Sequence, residues 1–213
     1  MKKLIPLMLF IFLMLSGTYV YANNSQNMTD AQENSNLFDI QASDWCYPYI
    51  ETLAEKGGVS GYEDGTFKPD NMITNAEFVK MIVGMVTGEH FEGNVHWADG
   101  YIQKARELGI VENDELPESE FDEAIRRQRV AKFTARTMNK VLKEEATPDA
   151  VKFIMYINDW VDVCDVCKPY VLEVYSKGVM TCLPNGTFSG RENTTRAEAA
   201  LFIIRMINTE LRF

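Results

Sequence analysis

Gly61–Glu77 reads GYEDGTFKPDNMITNAE, and Cys182–Glu198 reads CLPNGTFSGRENTTRAE. The two stretches share Gly-Thr-Phe at the same place and close on Thr-x-Ala-Glu. Extended outward, Pro48–Val86 lies on Pro169–Ile207 without a gap at an offset of 121, and 12 of the 39 positions are identical. They include Pro48/Pro169, Tyr49/Tyr170, Gly57/Gly178, Gly65/Gly186, Thr66/Thr187, Phe67/Phe188, Thr74/Thr195 and Glu77/Glu198. A weaker copy lies between them at an offset of 52, pairing Trp45 with Trp97, Tyr49 with Tyr101, Gly57 with Gly109 and Ile73 with Ile125. Units of this length cannot bury a core alone and stack on one another.

Each unit reads as helix, turn-rich loop, helix, so the expected fold is mainly α. In the first unit Trp45, Tyr49, Ile50 and Leu53 recur at helical spacing until Gly57-Gly58 stops the helix. Gly61–Asp70 is rich in turn residues, with two aromatic side chains to pin it. Thr74-x-x-Glu77 then opens a second helix as a capping box, and Thr195-x-x-Glu198 repeats it in the third unit. The middle unit keeps Trp97, Tyr101, Ile102, Ala105 and Gly109 but replaces Gly-Thr-Phe with an acidic stretch from Glu112 to Glu123. Its second helix starts near Arg126 with neither Thr nor Glu to cap it.

The chain carries 21 basic and 31 acidic residues, a formal charge of −10. Lys2-Lys3, the apolar run Leu4–Leu15 and Val20-Tyr21-Ala22 predict a cleaved export signal over residues 1–22, too short an apolar run to span a bilayer. Without Lys2 and Lys3, 19 basic residues face 31 acids, a net −12. That balance argues against nucleic acid as a partner. Residues 23–36, rich in Asn, Ser and Gln, read as a disordered spacer.

Cys46, Cys164, Cys167 and Cys182 are disulfide candidates in an exported chain, with three connectivities open. Cys46 and Cys167 hold equivalent places in units one and three, which suggests a staple between them. Cys164-x-x-Cys167 also looks like half a zinc site that Cys46 and Cys182 could complete, and free thiols are the third reading. No metal or cofactor is expected. His90 and His96 have no nucleophile beside them in any recognisable motif, and no acid pair is singled out by spacing, so no enzyme is expected.

Together, Asp44-Trp45, Gly57 to Pro69, Thr74-Asn75-Ala76-Glu77, His96-Trp97-Ala98, Gly186-Thr187-Phe188 and Thr195-Arg196-Ala197-Glu198 resemble the S-layer homology family. Leu37-Phe38-Asp39 and Ile157-Asn158-Asp159 resemble its opening aromatic-x-Asp. On this resemblance, repeat one covers residues 37–88, a degenerate repeat two 89–142, a linker 143–156 and repeat three 157–213. The resemblance implies a pseudo-threefold bundle with one helix of each copy at the centre. It also implies noncovalent attachment of an exported protein to the cell wall or surface. The ligand would be an anionic, often pyruvylated, secondary cell-wall polysaccharide or other peptidoglycan-linked glycan, held in grooves between repeats. The Arg of Thr-Arg-Ala-Glu is the family's anionic contact, as a guanidinium fork suits a carboxylate.

Carried over by position, Arg196 matches, Asn75 replaces the Arg in repeat one, and Arg127 keeps the charge without the cap in repeat two. Thr74, Glu77, Thr195 and Glu198 are expected to serve as caps. Arg196 has no capping duty, so its removal should weaken attachment with little loss of stability. Gly65, Gly186, Trp45 and Trp97 are further candidates for the sugar site, although tryptophans at helix starts are more often core. Arg126, Arg127, Arg129, Lys132 and Arg136 form a basic helical stripe that is either a landing surface for an anionic polymer or a partner of the Glu112–Glu123 loop. The alternative function is a protein-interaction or envelope-structural module that has lost sugar binding.

Overall fold

Six helices follow the repeat pattern. The first helices of the three copies are α1 (Tyr47–Glu55), α3 (Asp99–Glu107) and α5 (Lys168–Ser176). The second helices are α2 (Asn75–Thr87), α4 (Arg127–Arg136) and α6 (Arg196–Ile207). A computed structural model describes residues 37 and 39–213. The expected export signal at 1–22, the spacer at 23–36 and Phe38 lie outside the described residues. Mainly α is the fold observed: among the described residues extended pairing is confined to isolated bridges, and no helix is long and apolar enough to cross a membrane.

Local chemistry sets the helix ends. Pro48 and Pro169 stand in the first turns of α1 and α5, where a missing amide costs nothing. Gly57, Gly109 and Gly178 stop the first helices with φ of +71°, +70° and +68°, a backbone that favours glycine. Both capping boxes form. Thr74 Oγ1 accepts from the Glu77 amide at 3.1 Å while the Glu77 carboxylate accepts from the Thr74 amide at 3.0 Å. The Thr195–Glu198 box repeats this at 3.2 and 3.0 Å. Arg126, at the start of α4, supplies no side-chain cap, and α4 runs on into a π-helical turn over Thr137–Val141.

The second helices owe their N-terminal hydrogen bonds to their neighbours. The Asn75 and Ala76 amides donate to the Glu123 and Phe121 carbonyls, in the loop of repeat two. The Arg127 and Gln128 amides donate to Glu192 and Gly190 in the loop of repeat three. The Arg196 and Ala197 amides donate to Asn71 and Pro69 in the loop of repeat one. Just before the helices a triangle closes: Ile73 N to Thr194 O, Thr194 N to Ile125 O and Ile125 N to Ile73 O, at 3.0, 3.0 and 2.9 Å. The free amides that every helix must satisfy are thus shared out cyclically.

Helix packing follows the same order. α3 packs on α2, α5 on α4 and α1 on α6, so each first helix lies against the second helix of the preceding repeat. The second helices meet at the centre, α6 touching both α2 and α4. The fully buried Phe67 and Phe188 pin the repeat-one and repeat-three loops to this core. Above them Asp39 accepts from the Phe67 and Lys68 amides, both at 2.7 Å, and Asp159 accepts from the Phe188 and Ser189 amides at 2.6 and 2.8 Å. These carboxylates hold Lys68 and Ser189 in the left-handed region, at φ +59° and +56°, which is the physical duty of the opening Asp.

The expected linker has structure. Within 143–156, Ala150–Tyr156 forms a 3-10 helix against α5. Glu144 anchors the preceding turn through Arg212 at 2.7 Å and Lys177 at 3.0 Å.

Candidate functional site

Each junction between repeats places the first residue of a second helix against the next repeat. At the junction of repeats three and one, Arg196 enters the loop of repeat one. Its Nε donates to the Phe67 carbonyl at 2.7 Å and its Nη1 to Glu77 at 3.1 Å, with the guanidinium 4.6 Å from the Tyr62 ring centre and 4.7 Å from that of Phe67. Arg196 is only 4% exposed. The capping Glu77 therefore serves two repeats, since it holds the Thr74 amide, Arg196 and the Tyr62 hydroxyl, the last at 2.7 Å. Burial first, and then the bond to Glu77, push the Tyr62 hydroxyl up to about 12, so it remains a donor.

At the junction of repeats two and three Arg127 repeats the arrangement. It donates from Nε to the Phe188 carbonyl, from Nη1 to Glu198 and from Nη2 to the Thr181 carbonyl, at 3.1, 3.0 and 3.1 Å. All three donor nitrogens are committed within the protein. Burial depresses its pKa despite the attraction of Glu198.

The junction of repeats one and two is charge-swapped. Asn75 stands in the Arg place and donates to the Glu120 and Glu123 carbonyls at 2.9 and 3.0 Å. Arg129 stands in the place of Glu77 and Glu198, donating to Asn75 Oδ1 at 3.0 Å and to Glu120 at 2.8 Å. Asn75 and Arg129 thus bond each other where the other two junctions pair an Arg with a capping Glu.

Only some of the expected site residues come together. A groove of about 400 Å³ opens at the junction of repeats three and one, walled by Gly58–Glu63, Glu77, Lys80, Met81, Trp97 and Arg196. Nη2 of Arg196 and the Lys80 ammonium have no hydrogen-bonding or ion-pair partner among the described residues. Lys80 lies 5.7 Å from the Trp97 ring centre. Trp97 is 45% exposed and Trp45 59%, so of the two readings of these tryptophans, sugar-site candidate or core, the core one fails. They precede the first helices on the solvent side, and the Ala98 beside Trp97 is what enters the core. Trp45 is not among the residues walling this groove, and neither are Gly65 and Gly186. Those two glycines sit in turns at φ +77° and +80°, and a Cβ on Gly186 would clash with the Asn158 side chain.

The basic stripe does not form a landing surface. Arg127 and Arg136 are buried. Arg129 pairs with Glu120, Lys132 and Arg136 pair with Glu115, and Arg136 reaches Glu112. The acidic loop is the partner of the stripe, and Arg126 alone of the five is exposed without an ion pair among the described residues. Lys80 escaped the sequence reading because an isolated lysine inside an apolar helical stripe carries no motif.

No disulfide joins any of the four cysteines in this structure. No three potential metal ligands gather among the described residues, so the four-thiolate cage is not formed, and Cys46 is not stapled to Cys167.

The S-layer homology domain model matches residues 39–79 and 164–200, which carry the loops and caps of repeats one and three. Over 213 residues the chain is 27% identical to an endoglucanase of Bacillus sp. (strain KSM-635), covering 97% of this chain and 22% of that protein. It is 33% identical over 87 residues to the middle cell wall protein of Brevibacillus brevis, covering 41% of this chain and 8% of that one. It is 48% identical over 46 residues to a cellulosome-anchoring protein of Acetivibrio thermocellus, covering 22% of this chain and 10% of that one. The chain thus spans less than a quarter of the length of each of these relatives. The S-layer homology domain is thus matched in repeats one and three, and a middle copy with the same pair of helices lies between them.

Proposed function

We propose that the chain is a noncovalent attachment module that binds an anionic cell-wall polysaccharide in the groove between repeats three and one. It works at the cell surface. The family supports this placement, as do relatives named as cell-wall, surface-layer and cellulosome-anchoring proteins. The observation that carries the finer reading is the pairing, in one open groove, of two cationic edges without hydrogen-bonding or ion-pair partners among the described residues and an exposed indole. Arg196 Nη2 and Lys80 suit a carboxylate such as a pyruvyl group, and Trp97 offers a flat face to a sugar ring. The relative named as an endoglucanase matches this chain over 22% of its own length. We read the shared part as a binding module, not a catalyst.

The test is co-sedimentation of the chain with isolated cell walls, intact or chemically stripped of secondary polysaccharide. Lys80→Ala and Trp97→Ala change a half-buried and an exposed groove residue without cutting the junction. Pelleting with intact walls alone, weakened about tenfold by either substitution, is the expected result and corresponds to about 1.4 kcal/mol. Equal pelleting with stripped walls, or full binding by both variants, sinks the reading and leaves a protein partner as the better account.

A further inference from the structure

Cys164 and Cys167 bracket the turn that starts α5. The Cys167 amide donates to the Cys164 carbonyl at 2.8 Å, and the Lys168 amide donates to the same carbonyl at 3.0 Å. Such a turn holds its end α-carbons within about 7 Å, the span that a disulfide needs. The two sulfur atoms face each other at 2.8 Å. The other two cysteines are elsewhere. Cys46 is buried at the start of α1, and Cys182 directs its thiol toward the Tyr156 carbonyl at 3.7 Å.

We infer that Cys164 and Cys167 are an oxidisable pair that closes to a disulfide, while Cys46 and Cys182 remain thiols. The two sulfurs have different access. Both cysteines border the cleft that Asn75, Glu120 and Arg129 also line, but Cys164 is the half-buried one. Its amide is fixed by the Gln128 side chain at 3.0 Å, so its place is set by the neighbouring repeat. Cys167 is 4% exposed, and burial first, with the contact to Cys164, pushes its thiol up to about 12. Cys164 is therefore the entry point and Cys167 the resolving sulfur.

With a low-molecular-weight disulfide as oxidant, the Cys164 thiolate attacks one of its sulfurs and expels one thiolate, leaving a mixed disulfide on Cys164. Cys167 then attacks the Cys164 sulfur, and the second small thiolate leaves. The two cysteine protons end on the two released thiols, the protein pair loses two electrons, and the oxidant gains them. An oxidising compartment follows from the surface location proposed above. The geometry of the pair does not depend on it.

The experiment treats the folded, fully reduced chain with oxidised glutathione. Remaining thiols are then alkylated, and intact mass and peptides are read. The expected product has lost two hydrogens, carries label on Cys46 and Cys182 alone, and contains a cross-linked peptide spanning Cys164 and Cys167. Cys167→Ser should stall with glutathione on Cys164, and the double variant Cys46→Ser/Cys182→Ser should lose two hydrogens as the parent does. Label on either Cys164 or Cys167 after treatment, a bond from either to Cys46 or Cys182, or a stable glutathione adduct on the parent overturns the inference. Because the readout is covalent chemistry, failure here is separable from failure to bind walls.

Discussion

Replacing Arg196 with Ala tests whether the junction residue is structural as well as ligand-facing. The substitution takes a charge-assisted donor from the carbonyl of the fully buried Phe67, which has no route to water. That bond contributes about 1.5–3 kcal/mol. The Glu77 carboxylate loses a partner 3.1 Å away, but it keeps the Thr74 amide and the Tyr62 hydroxyl, and its side chain is 20% exposed. Its share is about 0.2–1 kcal/mol. Loss of the contacts with the Tyr62 and Phe67 rings adds about 0.5–1 kcal/mol. The total is about 3 kcal/mol, or a fall of about 6–12 °C in Tm for a domain of this size. Urea unfolding of Arg196→Ala beside Lys80→Ala measures it, and the lysine variant should stay within about 0.5 kcal/mol of the parent. A loss below about 1 kcal/mol for Arg196→Ala would show that the guanidinium is solvated and would restore the expectation drawn from sequence. Wall binding of the variant has to be measured well below its own Tm, where a deficit reports on the groove and not on unfolding.

Three further outcomes follow from the ring and its ion pairs. Thr194 buries an Oγ1 with no hydrogen-bond partner among the described residues, at the position where repeats one and two place Ile73 and Ile125. Thr194→Val should raise stability by about 1 kcal/mol in urea unfolding, and a loss would mean that the hydroxyl has a partner. Asn75→Arg and Arg129→Glu should each destabilise alone and rescue one another. A double-mutant cycle should give a favourable coupling of about 1–2 kcal/mol, and additivity within about 0.5 kcal/mol would contradict the charge swap. Burial alone would raise the Glu115 carboxyl, but Lys132, the Glu112 amide and Arg136 outweigh it and hold it below its ordinary 4.5. Its folded pKa lies below the unfolded one, so its stabilisation is complete above about pH 4.5 and is lost as pH falls through the folded value. Glu115→Gln should flatten that acid limb of the stability profile, and an unchanged limb would place the loss elsewhere.

The helices and caps were legible because their signals are local. Thr74, Glu77, Thr195 and Glu198 announce a helix start within four residues, and Gly57 and Gly178 announce a stop. The partners of α2, α4 and α6 were not legible, because the carbonyls that receive their first amides lie in another repeat and carry no side-chain signature. The same blindness misjudged Arg196. A residue free of capping duty within its own helix is bonded to Phe67, 129 positions away. The stripe from Arg126 to Arg136 was ambiguous for a related reason, since periodicity cannot say whether a cation faces solvent or Glu115. Aromatic content at a helix start cannot tell a core tryptophan from an exposed one, and here the small Cys46 and Ala98 that follow Trp45 and Trp97 enter the core instead.

The cyclic sharing of amides sets this architecture apart from linear arrays. In an open stack a repeat can be added or removed at either end, and the remaining units keep their neighbours. Here α6 takes its first hydrogen bonds from the loop that precedes α2, so the third repeat is completed by the first. Two copies would leave an interface with nothing to close it, and a fourth would have to break the triangle at Ile73, Ile125 and Thr194. Repeat number is thereby fixed by geometry, and the degenerate middle copy is retained as the part without which the other two cannot meet.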